Sequence, residues 1–185
     1  AHIAAAKKCF TKMFWVVDGD AVILDSFNFD YKVSEYDDEC VHVWSSKNPI
    51  NNLTYGYGGV KLLPRKLTLD LDPTTIDMTT NISTKFKAMF EVSNITAFNT
   101  DPFSTWRSAF RECCKLTLVD DLESLARLKA WCSHVATAEF GHEAYMGALA
   151  GRAYAEKNAS NKEALSKIND FDWLKARWQE GISRR

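Results

Sequence analysis

Two carboxylates one residue apart, Asp18 and Asp20, close a run of five apolar residues, Met13-Phe14-Trp15-Val16-Val17, with Gly19 between them. Carboxylate oxygens are hard donors. A pair at this spacing suits Mg²⁺ or Mn²⁺, which take one or two carboxylates and complete their shells with water and phosphate oxygens. The chemistry indicated is a divalent cation carrying a diphosphate. The same tripeptide is also ordinary turn chemistry, because Asp accepts local backbone hydrogen bonds and Gly tolerates positive φ. The surrounding elements must separate the two readings.

The apolar run reads as a short strand buried on both faces in the middle of a parallel or mixed sheet. The acids then sit at its C-terminal edge, where open α/β sheets bind ligands. Residues 1 to 10 are rich in helix formers, so the order is helix, Thr11-Lys12 link, strand, acids. Asp25 to Glu39 reads as a long irregular loop. In Cys40-Val41-His42-Val43-Trp44, alternation places Val41 and Val43 on one face of a strand and His42 and Trp44 on the other. His42 is first a hydrogen-bonded strand histidine and second a group looking into a site.

A further stretch, Asn48-Pro49-Ile50-Asn51-Asn52-Leu53-Thr54-Tyr55-Gly56-Tyr57-Gly58-Gly59-Val60-Lys61-Leu62, must turn more than once. Gly56, Gly58 and Gly59 permit close backbone approach to a sugar, and Tyr55 and Tyr57 offer rings for a hexose face. A tight connection into Val60-Lys61-Leu62-Leu63 is the plainer reading. The stretch lacks the Gly-Lys-Ser/Thr ending of a Walker loop and the strand-to-helix setting of a Rossmann loop.

With these residues in view, the chain resembles the metal-dependent, nucleotide-sugar-using glycosyltransferases of the GT-A fold, and the glycosyltransferase-like proteins of phages and marine viruses. The likeness runs over roughly residues 1 to 115 and rests on short motifs of moderate specificity. It implies transfer of a sugar from a nucleotide-sugar donor to an acceptor whose identity is open, with Asp18 and Asp20 on Mn²⁺ or Mg²⁺. It further implies substrate contacts from Tyr55, Gly56, Tyr57, Gly58 and Gly59, an acid base drawn from Asp101 or Glu112, and His142 (or His134) as a C-terminal metal ligand. Each has a plainer role: Asp101 as a helix cap, Glu112 as a surface partner of Arg111 or Lys115, His142 as a capping or packing residue. Domains of this fold begin with strands and helices that hold the base and ribose. The resemblance therefore implies a piece of a longer parent enzyme whose nucleotide-binding half precedes Ala1, with activity expected of that parent.

Leu67-Thr68-Leu69-Asp70-Leu71-Asp72 alternates as a strand with both acids on its wet face, ended by Pro73, so the second Asp-x-Asp is discounted as a metal site. Phe86 to Phe98 reads as strand or helix, with its β-branched and aromatic end favouring strand. From Asp101-Pro102 the pattern is helical. One helix begins at the Asp cap, and a second, Leu122 to Val135, carries an apolar stripe of Leu122, Leu125, Leu128 and Cys132. A third spans Glu139 to Lys157, where Gly147 and Gly151 admit a close neighbour. Two short tail helices follow, bearing Phe171, Trp173, Leu174 and Trp178. The expected fold is thus α/β, a mixed sheet with flanking helices, partly GT-A-like, over residues 1–100, with an α-helical C-terminal region over residues 101–185 packed on it.

Of 185 residues 46% are hydrophobic, enough for a full core, and the net charge of −1 gives no general footprint for nucleic acid, which enters only as a modified acceptor. No apolar run is long enough to span a bilayer. The five cysteines are odd in number and lack Cys-x-x-Cys spacing, which reads as reduced, mainly packing thiols of a cytoplasmic protein, host cytoplasm if viral. Two rivals stand beside sugar transfer. One is a non-catalytic interaction module using Trp173 and Trp178; the other is a metal-dependent phosphate-transfer or hydrolysis enzyme using Asp18 and Asp20.

Overall fold

The computed structural model describes residues 1–56, 58–72, 79–133 and 137–183. It divides into one unit of Ala1–Asn48 with Thr54–Ala97, and another of Pro49–Leu53 with Phe98–Arg185. The fold is α/β with a helical C-terminal region.

The first unit carries α1 (His2–Lys8), β1 (Met13–Val17), β2 (Ala21–Ile23), β3 (Val41–Lys47), β4 (Thr54–Tyr55), β5 (Val60–Pro64), α2 (Arg65–Leu69) and β6 (Phe86–Thr96). Its six-stranded mixed sheet runs β1-β5-β3-β6-β2, with β4 added on β3. Every pairing is antiparallel except β3 with β6, whose register shifts around Ser45. The central strand β3 shows the expected alternation. Val41 and Val43 join Phe14, Leu63, Leu71 and Ile82 against α1 and α2, while Trp44 joins Phe27, Val60 and Leu62 on the opposite face. The 25–39 segment is irregular apart from a 3₁₀ turn at Glu35–Asp37, and it lays Phe27, Tyr31 and Val33 over that second face.

β1 departs from expectation. It is an edge strand, paired only with β5, and of its five residues only Phe14 is fully buried. The five apolar residues have a different cause from central placement. Phe14 and Val16 face the helical side, Met13 and Trp15 face the aromatic side, and both sides are covered. Continuous hydrophobicity reports cover on two faces; it says nothing about neighbours on two edges.

That edge position has a geometric consequence. β1 and β2 occupy opposite ends of the strand order yet are joined by Asp18, Gly19 and Asp20 alone. Five flat strands would separate the outer two by about 19 Å, whereas a link of this length reaches at most about 14 Å. The sheet must therefore roll at this end. The backbone bonds at the link continue the ladders on either side of it: Asp18 N–H donates to Gly59 O at 2.9 Å, extending the β1·β5 pairing, and Ala97 N–H donates to Asp20 O at 2.6 Å, extending the β2·β6 pairing.

Residues 67–72 form no strand. Arg65–Leu69 is a short helix that follows Pro64, the Thr68 hydroxyl donates to Pro64 O at 2.8 Å, and Leu67, Leu69 and Leu71 pack on the core. Leu67, on the helix, and Leu71, just past its end, are four apart and turn to the same core, Leu71 buried and Leu67 partly so, and six residues of alternation cannot separate the two periods. Asp70 and Asp72 are exposed, as expected. Pro73 lies outside the described residues.

The second unit consists of α3 (Pro102–Thr117), α4 (Leu122–Trp131), α5 (Gly141–Asn158), α6 (Lys162–Ser166) and α7 (Phe171–Ser183). Asp101 and Asp121 cap α3 and α4, accepting from the N–H groups of Ser104 (2.9 Å) and Ser124 (2.8 Å). The stripe expected on α4 forms only in part. Leu128 is buried and Cys132 partly so, as expected, but Leu122 is 86% exposed and Leu125 50%, and Ser124 and Trp131 are buried in their place. Val135, its expected end, lies outside the described residues. α3 and α5 cross at their backbones: a Cβ on Gly147 would overlap the Trp106 carbonyl oxygen, and one on Gly151 that of Phe110. Arg177 of α7 lies over Tyr154, Trp173 and Phe110, with its guanidinium carbon 4.8, 5.3 and 5.7 Å from the ring centroids. No helix among the described residues is long and apolar enough to cross a membrane.

Two glycine-to-alanine changes in helices test the crossing. Gly151→Ala should destabilise the protein by about 3 kcal/mol, since neither backbone can yield cheaply. Gly181→Ala, where nothing lies within 4 Å of the added Cβ, should stabilise by about 0.5–1 kcal/mol. Urea unfolding read by circular dichroism checks both signs.

Candidate functional site

The seam between β1 and β2 gathers the chemistry-bearing residues of the first unit. A lysine inside a continuously buried strand, Val60-Lys61-Leu62-Leu63-Pro64, must bring its ammonium to a partner, because an unpaired buried charge is costly. Lys61 reaches Asp18. Its Nζ donates to Asp18 Oδ1 at 2.8 Å and also to the Gly58 carbonyl. The Lys61 side chain is 4% exposed and that of Asp18 43%, so the pair runs from the interior to the surface. The Asp18 carboxylate therefore already holds one internal cation and opens its other side outward.

The glycine loop ends beside this pair. Gly58 has φ +85°, a conformation that favours glycine. A Cβ on Gly59 would lie 2.5 Å from Asn94 Nδ2. Asn94 is fully buried, accepting from the hydroxyls of Ser46 (2.8 Å) and Ser93 (2.9 Å) and donating to Thr96 Oγ1 at 3.4 Å. This polar cluster props the loop from beneath. Neither it nor Lys61 figures among the sequence-derived site residues. The available signals were a lysine within an apolar strand run and an asparagine, usually depleted from strands, amid Val92-Ser93-Asn94-Ile95-Thr96.

Other site residues fall as follows. Asp20 is exposed, and its carbonyl accepts from Ala97. Gly19 has no positive φ, and a Cβ added there would have nothing within 4 Å, so the bend does not depend on glycine. Tyr55 is 7% exposed and lies on β4 opposite Ser46, so its ring is not displayed as a surface platform. Gly56 sits over Val43, where a Cβ would meet Cγ1 at 3.4 Å. Tyr57 lies outside the described residues, as does His134. His42 is fully buried beside Tyr31 and Trp44, with Nδ1 donating to Cys40 O at 3.0 Å. Burial lowers its pKa, and Nε2 has no partner among the described residues.

Asp101, Glu112 and His142 belong to the second unit. Asp101 is spent on its helix cap. Hydrogen bonds from the Ser104 hydroxyl and N–H, with a smaller one from Thr100, hold its carboxyl below the usual range. That makes it a weaker base than an ordinary aspartate. Glu112 is half-buried on α3, and His142 is exposed in the first turn of α5. Among the described residues, no group of three or more His, Cys, Asp or Glu side chains could hold a metal unaided.

The two glycines of the seam should respond oppositely: Gly19→Ala leaves the melting temperature unchanged or slightly raised, while Gly59→Ala costs about 2 kcal/mol or more by displacing Asn94. Thermal melts of both variants decide this. The depressed Asp101 carboxyl contributes stability that is complete above the unfolded value near 3.9. That contribution is lost as pH falls through the lower folded value. Melting temperatures from pH 5 to pH 2 should therefore fall less steeply for Asp101→Asn than for the parent chain. Scans against protein-family models, curated proteins and solved structures matched none of them.

Proposed function

We propose that the Asp18–Asp20 turn and the Gly56–Gly59 loop form the donor side of a metal-dependent glycosyl-transfer site. One observation carries the reading. The two stretches that bear the likeness to nucleotide-sugar enzymes, distant in sequence, are fastened together at Asp18: its N–H donates to Gly59 O, and Lys61 bonds both its carboxylate and Gly58 O.

Asp18 and Asp20 fit a Mn²⁺ or Mg²⁺ ion that takes two carboxylates and draws its remaining ligands from water and phosphate oxygens. When bound, the ion would neutralise charge on the departing diphosphate. Lys61 adds a positive charge behind Asp18 from the buried side, which favours an anion at the outward face of the turn. Gly58, half-buried beside Lys61, keeps the loop backbone free of a side chain next to Asp18. The rival interaction module has less support, because Trp173 packs with Tyr154 and Phe110, and Trp178 with Phe103. A phosphate-transfer enzyme would need more converging acids than the described residues supply.

With only two carboxylates to offer, the protein alone should hold Mn²⁺ weakly, and a nucleotide-diphosphate sugar should tighten binding by at least about tenfold. Calorimetric titration of Mn²⁺ with and without a panel of nucleotide sugars measures this, with Asp20→Ala and Asp18→Asn as controls checked for folding by circular dichroism. Loss of the donor-dependent heat in both variants is expected. Binding that survives both substitutions sinks the reading, as does Mn²⁺ affinity indifferent to every donor.

A further inference from the structure

Away from the seam, the first unit leaves a strand edge open. β2 covers β6 only over residues 94–96, with one further backbone bond from Leu24 N–H to Ser93 O at 3.0 Å. Val41 N–H donates to Lys85 O at 2.9 Å and Val41 pairs in parallel with Phe86, so Phe86 and Ala88 turn their own N–H and C=O groups away from β3. Among the described residues no strand receives them. Their side chains are bare as well: Phe86 is 48% exposed, Ala88 is exposed, and Phe90, where the register with β3 shifts, is 94% exposed. Proteins blunt such edges with lysine or proline, because an open row of backbone groups is a template for another strand. Here Lys87 is held by Asp37 at 3.1 Å, and β6 contains no proline.

We propose that two copies of this chain pair antiparallel along residues 85–91, about a two-fold axis at Ala88, and so join their sheets. Outward-facing backbone groups must meet outward-facing ones in such a pair, which limits the axis to Phe86, Ala88 or Phe90. At Ala88 the strand complements itself. Phe86 of each copy lies opposite Phe90 of the other, Lys85 lies opposite Glu91, and the smallest side chain sits on the axis. Aromatic pairs and opposite charges facing each other across an antiparallel ladder both stabilise it, and symmetry supplies each twice. An axis at Phe86 would set Lys85 against Lys87, like charges that oppose pairing. An axis at Phe90 would run the second strand into Ser93, which already serves Leu24.

The charged pair is available. Lys85 and Glu91 are exposed, and each has one partner in its own chain, Glu39 at 2.8 Å and the Trp44 indole at 3.3 Å. The ammonium keeps two donors to spare and the carboxylate its second oxygen. A two-fold pairing uses the edge of each copy once, so assembly stops at two.

Sedimentation velocity of the full chain across a dilution series should show a monomer–dimer equilibrium. Phe90→Lys, which removes both aromatic pairs, should weaken the dimer by at least about tenfold. Ala88→Pro should do the same, because the N–H it loses faces away from β3 and proline is tolerated on a strand edge. Lys85→Glu and Glu91→Lys should each be monomeric alone and associate when mixed in equal amounts, since each altered position then meets its complement. A parent chain that stays monomeric throughout overturns the proposal, as does a dimer indifferent to Phe90→Lys, growth beyond two copies, or a charge-swapped mixture that remains monomeric. Circular dichroism checks folding, and Phe90→Lys changes a side chain that lies in solvent, so the answer does not hang on the proline variant.

Discussion

A three-residue link between strands at opposite edges of one sheet is the constraint on which the first unit depends. Asp18, Gly19 and Asp20 cannot bridge a flat sheet of that width, so the strands roll until the ends of β1 and β2 meet, while the link's own backbone continues the β1·β5 and β2·β6 ladders through Gly59 and Ala97. Lys61 ties the start of the link to β5, because its buried ammonium has Asp18 and the Gly58 carbonyl as partners. Removing Asp18 would strand a buried charge, and moving Gly58 would unseat one of its two acceptors. The carboxylate most suggestive of metal chemistry is thus also a structural ion-pair partner.

The sequence made faces legible and edges illegible. Val41 and Val43 against His42 and Trp44 could be sorted by alternation, since a pleated strand sends successive side chains to opposite sides. The same local rule cannot say which strand lies beside which. Met13 to Val17, covered on both faces, therefore passed for a central strand although it is an edge. At Leu67 to Leu71 the window was too short for either period to win, and at Leu122 and Leu125 apolar residues on a helix did not mean buried ones. By contrast, Asp101-Pro102 and the Gly147/Gly151 pair could be read because each answers a local demand. One is a cap for free N–H groups, and the other is the need to remove a Cβ from a backbone crossing.

The candidate site was half visible for a related reason. Its acids and glycines stand out by type, but what joins them is long-range. Lys61 and Asn94 are unremarkable in a composition and become telling only when their burial is known. A buried ammonium and a buried carboxamide must each have partners. In this fold Lys61 finds them at Gly58 and Asp18, and Asn94 finds them at Ser46, Ser93 and Thr96 beneath Gly59.

Lys61 also bears on how a cation could use this turn. An ammonium on Asp18 Oδ1 and a divalent ion on the same carboxylate repel each other, so the protein's own charges oppose a bare metal. A diphosphate reverses the sign of that interaction. Its negative charge offsets both the ion and the buried ammonium behind Asp18, so the two positive centres become compatible when an anion joins the ion. In the proposed site, metal and donor would therefore enter together rather than in independent steps, with Lys61 rather than an additional carboxylate setting that order.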